Sequence, residues 1–116
     1  MFRSGRLAAC AAAVALLAPA AVTEADGGAK SRIKMSKLSH SGAKGKVTSQ
    51  RDRCVGGRKV SLFVIENFVS DKLQITHTKS NGRWRIRRNL DPGRYFAKVD
   101  GRRGCRFDNS RVKTLR

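Results

Sequence analysis

Two widely separated cysteines, Cys54 and Cys105, and an alternating run of arginines, Arg83, Arg85 and Arg87, are the side chains of this sequence best placed for chemistry. Thiols can act as a redox pair, as metal ligands or as a structural bridge. A redox pair usually sits as C-x-x-C, and no histidine or acidic cluster accompanies these two to complete a metal site. That leaves a disulfide closing a loop of about 50 residues, worth roughly 4 kcal/mol in the chain-entropy model. The third cysteine, Cys10, lies in a leader segment discussed below. Leu7-Ala8-Ala9-Cys10 spells a lipoprotein-type box, but the apolar stretch follows this cysteine where it should precede it.

General acid–base chemistry has few candidates. His40 lies in a small, polar stretch, and His77 falls in line with Leu73 and Ile75 near a strand end, which suits half-buried packing. A secreted nuclease would need His77 paired with a second base, and spacing supplies none. Most of the acids after residue 43, Asp52, Glu66, Asp71, Asp91, Asp100 and Asp108, sit at turn positions where carboxylates cap backbone amides. Paired carboxylates, a phosphate loop and metal-ligand spacing are all missing from the pattern. The chain therefore reads as non-enzymatic, with no catalytic residue, metal site or cofactor.

The destination is written at the N-terminus. Arg3 and Arg6 precede the apolar run Leu7–Ala18, Pro19 breaks it, and Ala18-Pro19-Ala20 or Thr23-Glu24-Ala25 offers a cleavage site. The run is shorter than the roughly 20 apolar residues of a transmembrane helix. Residues 1–25 are therefore expected to be a cleaved signal peptide, leaving a secreted, extracellular protein with no transmembrane anchor, in a setting that favours the disulfide. The chain has 26 basic and 8 acidic side chains, net +18, and still +16 when cleavage after Ala20 removes Arg3 and Arg6. At 116 residues it has room for one domain, small enough to profit from a covalent staple.

Residues 26–43 are small, polar and basic, with Ile33, Met35 and Leu38 as the only large apolar side chains, and read as a flexible basic linker. From Lys44 the pattern turns to period two. Strands are expected at Lys46–Ser49, Arg58–Ile65, Leu73–Thr78, Gly82–Arg88, Arg94–Asp100, Cys105–Phe107 and Arg111–Leu115. Arg58–Ile65 is apolar on both faces, as a central strand would be. Asn81-Gly82 carries a type I′ hairpin signal, and Asp91-Pro92-Gly93 a turn with glycine in the left-handed position. The fold expected is all-β: a small β-sandwich of six or seven strands over residues 44–116.

Thr78-x-x-x-Gly82-x-Trp84-x-Ile86 followed by Leu90-x-Pro92-Gly93-x-Tyr95-x-Ala97-x-Val99 resembles the carboxypeptidase regulatory-like (transthyretin-like, prealbumin-type) domain. Gly45-x-Val47 and Gly57-Arg58-x-Val60-x-Leu62 fit its first two strands, so the resemblance spans Lys44 to about Arg116. It implies an accessory domain that stabilises, presents or tethers, with some similar folds binding carbohydrate. Lys79 stands where the family pattern usually has an acid, which removes the basis for a borrowed cation site. The peptidase unit such domains accompany is absent, so no peptidase activity is implied.

Charge is the remaining functional signal. Arg83, Arg85 and Arg87 alternate outward against Trp84 and Ile86, and Arg94, Phe96 and Lys98 alternate outward against Tyr95, Ala97 and Val99. If the Asp91-Pro92-Gly93 turn pairs these two strands, the six residues form one cationic surface with an aromatic among the cations. Arg102, Arg103, Arg106, Arg111 and Lys113 would extend it. Guanidinium groups suit phosphate, sulfate and carboxylate, and an exposed ring offers a stacking platform. Two functions follow as expectations. One is a secreted accessory or structural domain loosely associated with anionic cell-envelope polymers. The other is a dedicated polyanion-binding module for an acidic glycan or for nucleic acid, the latter held without sequence preference.

Overall fold

The structure, a computed structural model, describes residues 28–116; the expected signal peptide lies outside the described residues. Alternating apolar and polar residues produce eight strands: β1 Ser31–Ser39, β2 Gly42–Ser49, β3 Lys59–Glu66, β4 Val69–His77, β5 Arg83–Arg87, β6 Gly93–Val99, β7 Asp108–Asn109 and β8 Lys113–Leu115. A 3₁₀ turn, Asp52–Cys54, links β2 to β3. All pairings between strands are antiparallel. They build a three-stranded sheet in the order β1-β2-β5 and a five-stranded sheet in the order β4-β3-β6-β7, with β8 also on β6.

The inward faces of the two sheets share one core. Ile33, Met35, Ala43, Val47, Trp84 and Ile86 come from the first sheet, and Val60, Leu62, Tyr95, Ala97, Val99 and Leu115 from the second. Period-two alternation decides which residues enter: in β5 Trp84 and Ile86 are buried while Arg83, Arg85 and Arg87 are exposed. Gly45 lies opposite Trp84 in the ladder, and a Cβ there would come within 2.7 Å of Trp84 Cζ2. The Lys34 carbonyl and the indole together occupy the space that glycine leaves. Tyr95 reaches the end of the core and its hydroxyl donates to the Asp91 carbonyl at 2.6 Å. Burial first, and then the Asp91 charge, push its ionisation up.

One end of the sandwich is closed covalently. Cys54 and Cys105 form the expected disulfide, both buried, with Cα atoms 5.5 Å apart. Beside it Arg58 is fully buried, its guanidinium held by oxygens alone. Nη1 donates to Ser31 Oγ at 2.8 Å and to the Cys54 carbonyl at 2.7 Å. Nη2 donates to the carbonyls of Asp100 at 2.8 Å and Arg106 at 3.0 Å. Desolvation pulls its pKa down, Arg102 acts in the same sense, and Asp100 opposes them. Four acceptors from four chain segments converge on one side chain, so Arg58 fastens β1, the 3₁₀ turn and two loops together.

Four expectations are corrected. The segment read as a linker, 26–43, contributes β1 and the start of β2, because Ile33 and Met35 share one strand face and enter a core that other strands supply. The Asn81-Gly82 turn does form, with Gly82 N–H donating to the Lys79 carbonyl at 2.8 Å, but only Gly82 has positive φ. It is no type I′ hairpin: it carries the chain from β4 in one sheet to β5 in the other. Asp91-Pro92-Gly93 likewise crosses between sheets, and Gly93 is not in the left-handed region. His77 was expected to be half-buried and is exposed, paired with Lys59 at the end of β4. A register shift beside Leu73 breaks the alternation that had aligned it with the core.

Candidate functional site

Because β5 and β6 belong to different sheets, the cationic surface expected from Arg83, Arg85, Arg87, Arg94, Phe96 and Lys98 divides in two. The arginines of β5 project from the outer face of the three-stranded sheet. Arg94, Phe96 and Lys98 project from the outer face of the five-stranded sheet, on the opposite side of the core. The two halves have different surroundings.

On the five-stranded sheet several outward residues contact one another. Phe63 of β3 lies between Lys72 and Phe96 in the ladder, its ring stacked on Phe96 with centroids 5.0 Å apart and planes 5° from parallel. Lys72 Nζ stands 6.0 Å from the Phe63 centroid, and Lys98 Nζ stands 5.5 Å from that of Phe107. These are cation–π distances, so both ammonium groups rest on rings of their own chain.

The three-stranded sheet gathers far more charge. Its strands bring Lys44 opposite Lys37 and Arg85, and Lys46 opposite Lys34 and Arg83, while Arg32 and Arg87 stand at the ends of the rows. All eight side chains are exposed. None makes an ion pair among the described residues, where Lys59–Asp100 at 3.9 Å is the salt bridge present. No aspartate or glutamate occurs within β1, β2 or β5. The backbone positions that carry neighbouring cations stand about 4.8 Å apart across strands and, two residues on, about 6.7 Å apart along them. Like charges directly opposite destabilise a ladder, and a merely solubilising surface intersperses both signs. Here repulsion is concentrated in one place and left unrelieved.

The β1 edge continues this surface. An open cleft of about 1020 Å³ runs along it, lined in part by Arg32, Lys34, Lys46, Arg111 and Lys113. The carboxylate in its wall, Asp108, accepts the Ile33 backbone N–H at 2.8 Å and thereby joins β7 to β1. Of the residues expected to extend the basic surface, Arg111 and Lys113 therefore do so. Arg102 is engaged elsewhere: its guanidinium donates to the carbonyls of Gly57 at 3.2 Å and Gly56 at 3.0 Å and also contacts the Arg53 carbonyl.

Sequence reasoning found the β5 arginines but missed Arg32, Lys34, Lys37, Lys44 and Lys46 as members of the same face. For four of them the signal was present, since Arg32, Lys34, Lys44 and Lys46 are set off from Ile33, Met35, Ala43, Gly45 or Val47 by strand alternation. Assigning the segment to a linker hid it. Lys37 instead shares parity with Met35 and joins the face only through the register shift between them. Among the described residues no group of three or more histidine, cysteine, aspartate or glutamate side chains is assembled, and no helix is long and apolar enough to cross a membrane. No family model, curated protein or solved structure matches the chain.

Proposed function

We propose that this chain is an exported, non-catalytic accessory domain of the carboxypeptidase regulatory-like kind that holds to anionic cell-envelope polymers through the outer face of its three-stranded sheet. The observation that carries the reading is the set of eight exposed, unpaired cations on that face with no carboxylate among them. A ligand bearing phosphate, sulfate or carboxylate groups relieves the repulsion that the fold leaves standing. The contact is electrostatic and spread over a flat lattice, so it suits a repeating polyanion better than one small anion. The sandwich core and the disulfide support an extracellular role, in which stability must survive an oxidising medium.

The test compares the two faces. Binding to heparin and to duplex DNA is measured over a salt series for the wild type, for Arg83→Gln/Arg85→Gln/Arg87→Gln, and for Arg94→Gln/Lys98→Gln. The triple variant is expected to weaken binding at least tenfold and, if all three arginines meet phosphates, to flatten the DNA salt dependence by about 2.7 in log–log slope. The double variant should change affinity less than threefold. Equal losses from both faces, or none from the triple variant, rejects the assignment. A wild type that keeps one ligand at high salt while releasing the others would favour a dedicated binding module over loose association.

A further inference from the structure

The β3–β4 hairpin carries a conflict between its sequence and its shape. Glu66 pairs with Val69, so the connection has only two residues, Asn67 and Phe68, and both adopt positive φ, 51° and 66°. That is the type I′ geometry, for which Asn-Gly is the favoured pair. A bulky aromatic in the left-handed region is a steric outlier. Nothing in the fold compensates for it, because Phe68 is 102% exposed and touches no core residue. The next residue, Val69, is 56% exposed. Burial falls away towards the turn: Val64 still packs against the core, Phe63 and Ile65 are half-buried, and Val69 to Lys72 are exposed throughout. Strain and full exposure thus coincide at one apolar side chain, which is where a contact outside the chain is to be sought.

We propose that Phe68 and Val69 form a tip that enters the interface of an anionic lipid bilayer. A narrow apolar tip needs no matching cavity in a soft interface, where apolar groups sink about 5–10 Å. The charge of the exported chain, still +16 once Arg3 and Arg6 leave, draws it towards anionic headgroups. Arg94 flanks Ile65, one ladder step behind the tip, and Lys72 lies opposite Phe63, three steps behind. At about 3.4 Å per residue these cations fall at headgroup height when the tip is inserted. Glu66, on the tip rung opposite Val69, and Asp71, on the rung between those of Arg94 and Lys72, temper that attraction, so the apolar tip supplies the local affinity and the body supplies the steering.

Vesicles of phosphatidylcholine and phosphatidylglycerol at 7:3, and of phosphatidylcholine alone, are co-sedimented with the wild type, with Phe68→Gly and with the triple arginine variant. Phe68→Gly places the preferred residue at the strained position, so its Tm is expected to rise by a few degrees. Its affinity for the anionic vesicles is expected to fall about ten- to hundredfold, the range that burying a phenylalanine carries. Its affinity for duplex DNA should stay that of the wild type. Unchanged vesicle affinity in Phe68→Gly, or a wild type that ignores anionic vesicles, overturns the proposal. A Phe68→Gly variant that loses vesicles but keeps DNA, beside an arginine variant that loses DNA, separates this tip from the polyanion face, so either can fail alone.

Discussion

The two outer faces of the sandwich hold the same residue types under opposite conditions. On the five-stranded sheet, Lys72 lies over Phe63, Lys98 lies over Phe107 and Lys59 faces Asp100, so three of its positive charges have an answering ring or acid. Deeper still, Arg58 is buried against four oxygens. On the three-stranded sheet, eight cations face solvent beside one another without an acid or a ring among them. Counting charges over the whole sequence would treat these groups as equivalent. Position divides them into cations that hold the fold together and cations that strain it and are open to a ligand.

That division predicts stability effects of different size and opposite sign. Arg58→Ala should cost the most, about 3 kcal/mol or more in chemical denaturation, because it leaves a cavity and four acceptors without their donor. A loss below about 1 kcal/mol would mean that water replaces the guanidinium and that Arg58 is no fastener. The smaller effects come from a matched pair. Lys98→Gln should lose about 0.5–1 kcal/mol with its contact to the Phe107 ring. Lys46→Gln should gain a few tenths of a kcal/mol, since it removes like-charge repulsion from both Lys34 and Arg83. Losses of equal size from the two glutamine variants would erase the distinction between the faces.

Much of the fold was legible because one face of each strand is buried. The inward set Trp84 and Ile86, the inward set Tyr95, Ala97 and Val99, the central position of β3 and the Cys54–Cys105 bridge all follow from alternation and thiol count. Pairing was less legible. Turn residues such as Asn81-Gly82 and Asp91-Pro92-Gly93 report that the chain reverses, but not which sheet receives the next strand; that is set by how apolar faces meet in three dimensions. The error moved Arg94, Phe96 and Lys98 onto the wrong surface. The true type I′ turn, Asn67-Phe68, was hidden because phenylalanine is the wrong residue for that geometry. Arg58 could have been found: it shares parity with Val60, Leu62 and Val64, and so had to point inward.

The most direct test of the polyanion face is residue-by-residue mapping of a bound anion. Isotope-labelled protein is titrated with a short heparin fragment at moderate salt, and backbone amide shifts are followed by NMR. Perturbations should concentrate on β1, β2 and β5, around Arg32, Lys34, Lys37, Lys44, Lys46, Arg83, Arg85 and Arg87. Shifts centred on Arg94 to Lys98, or spread evenly over every exposed basic residue, would contradict the account.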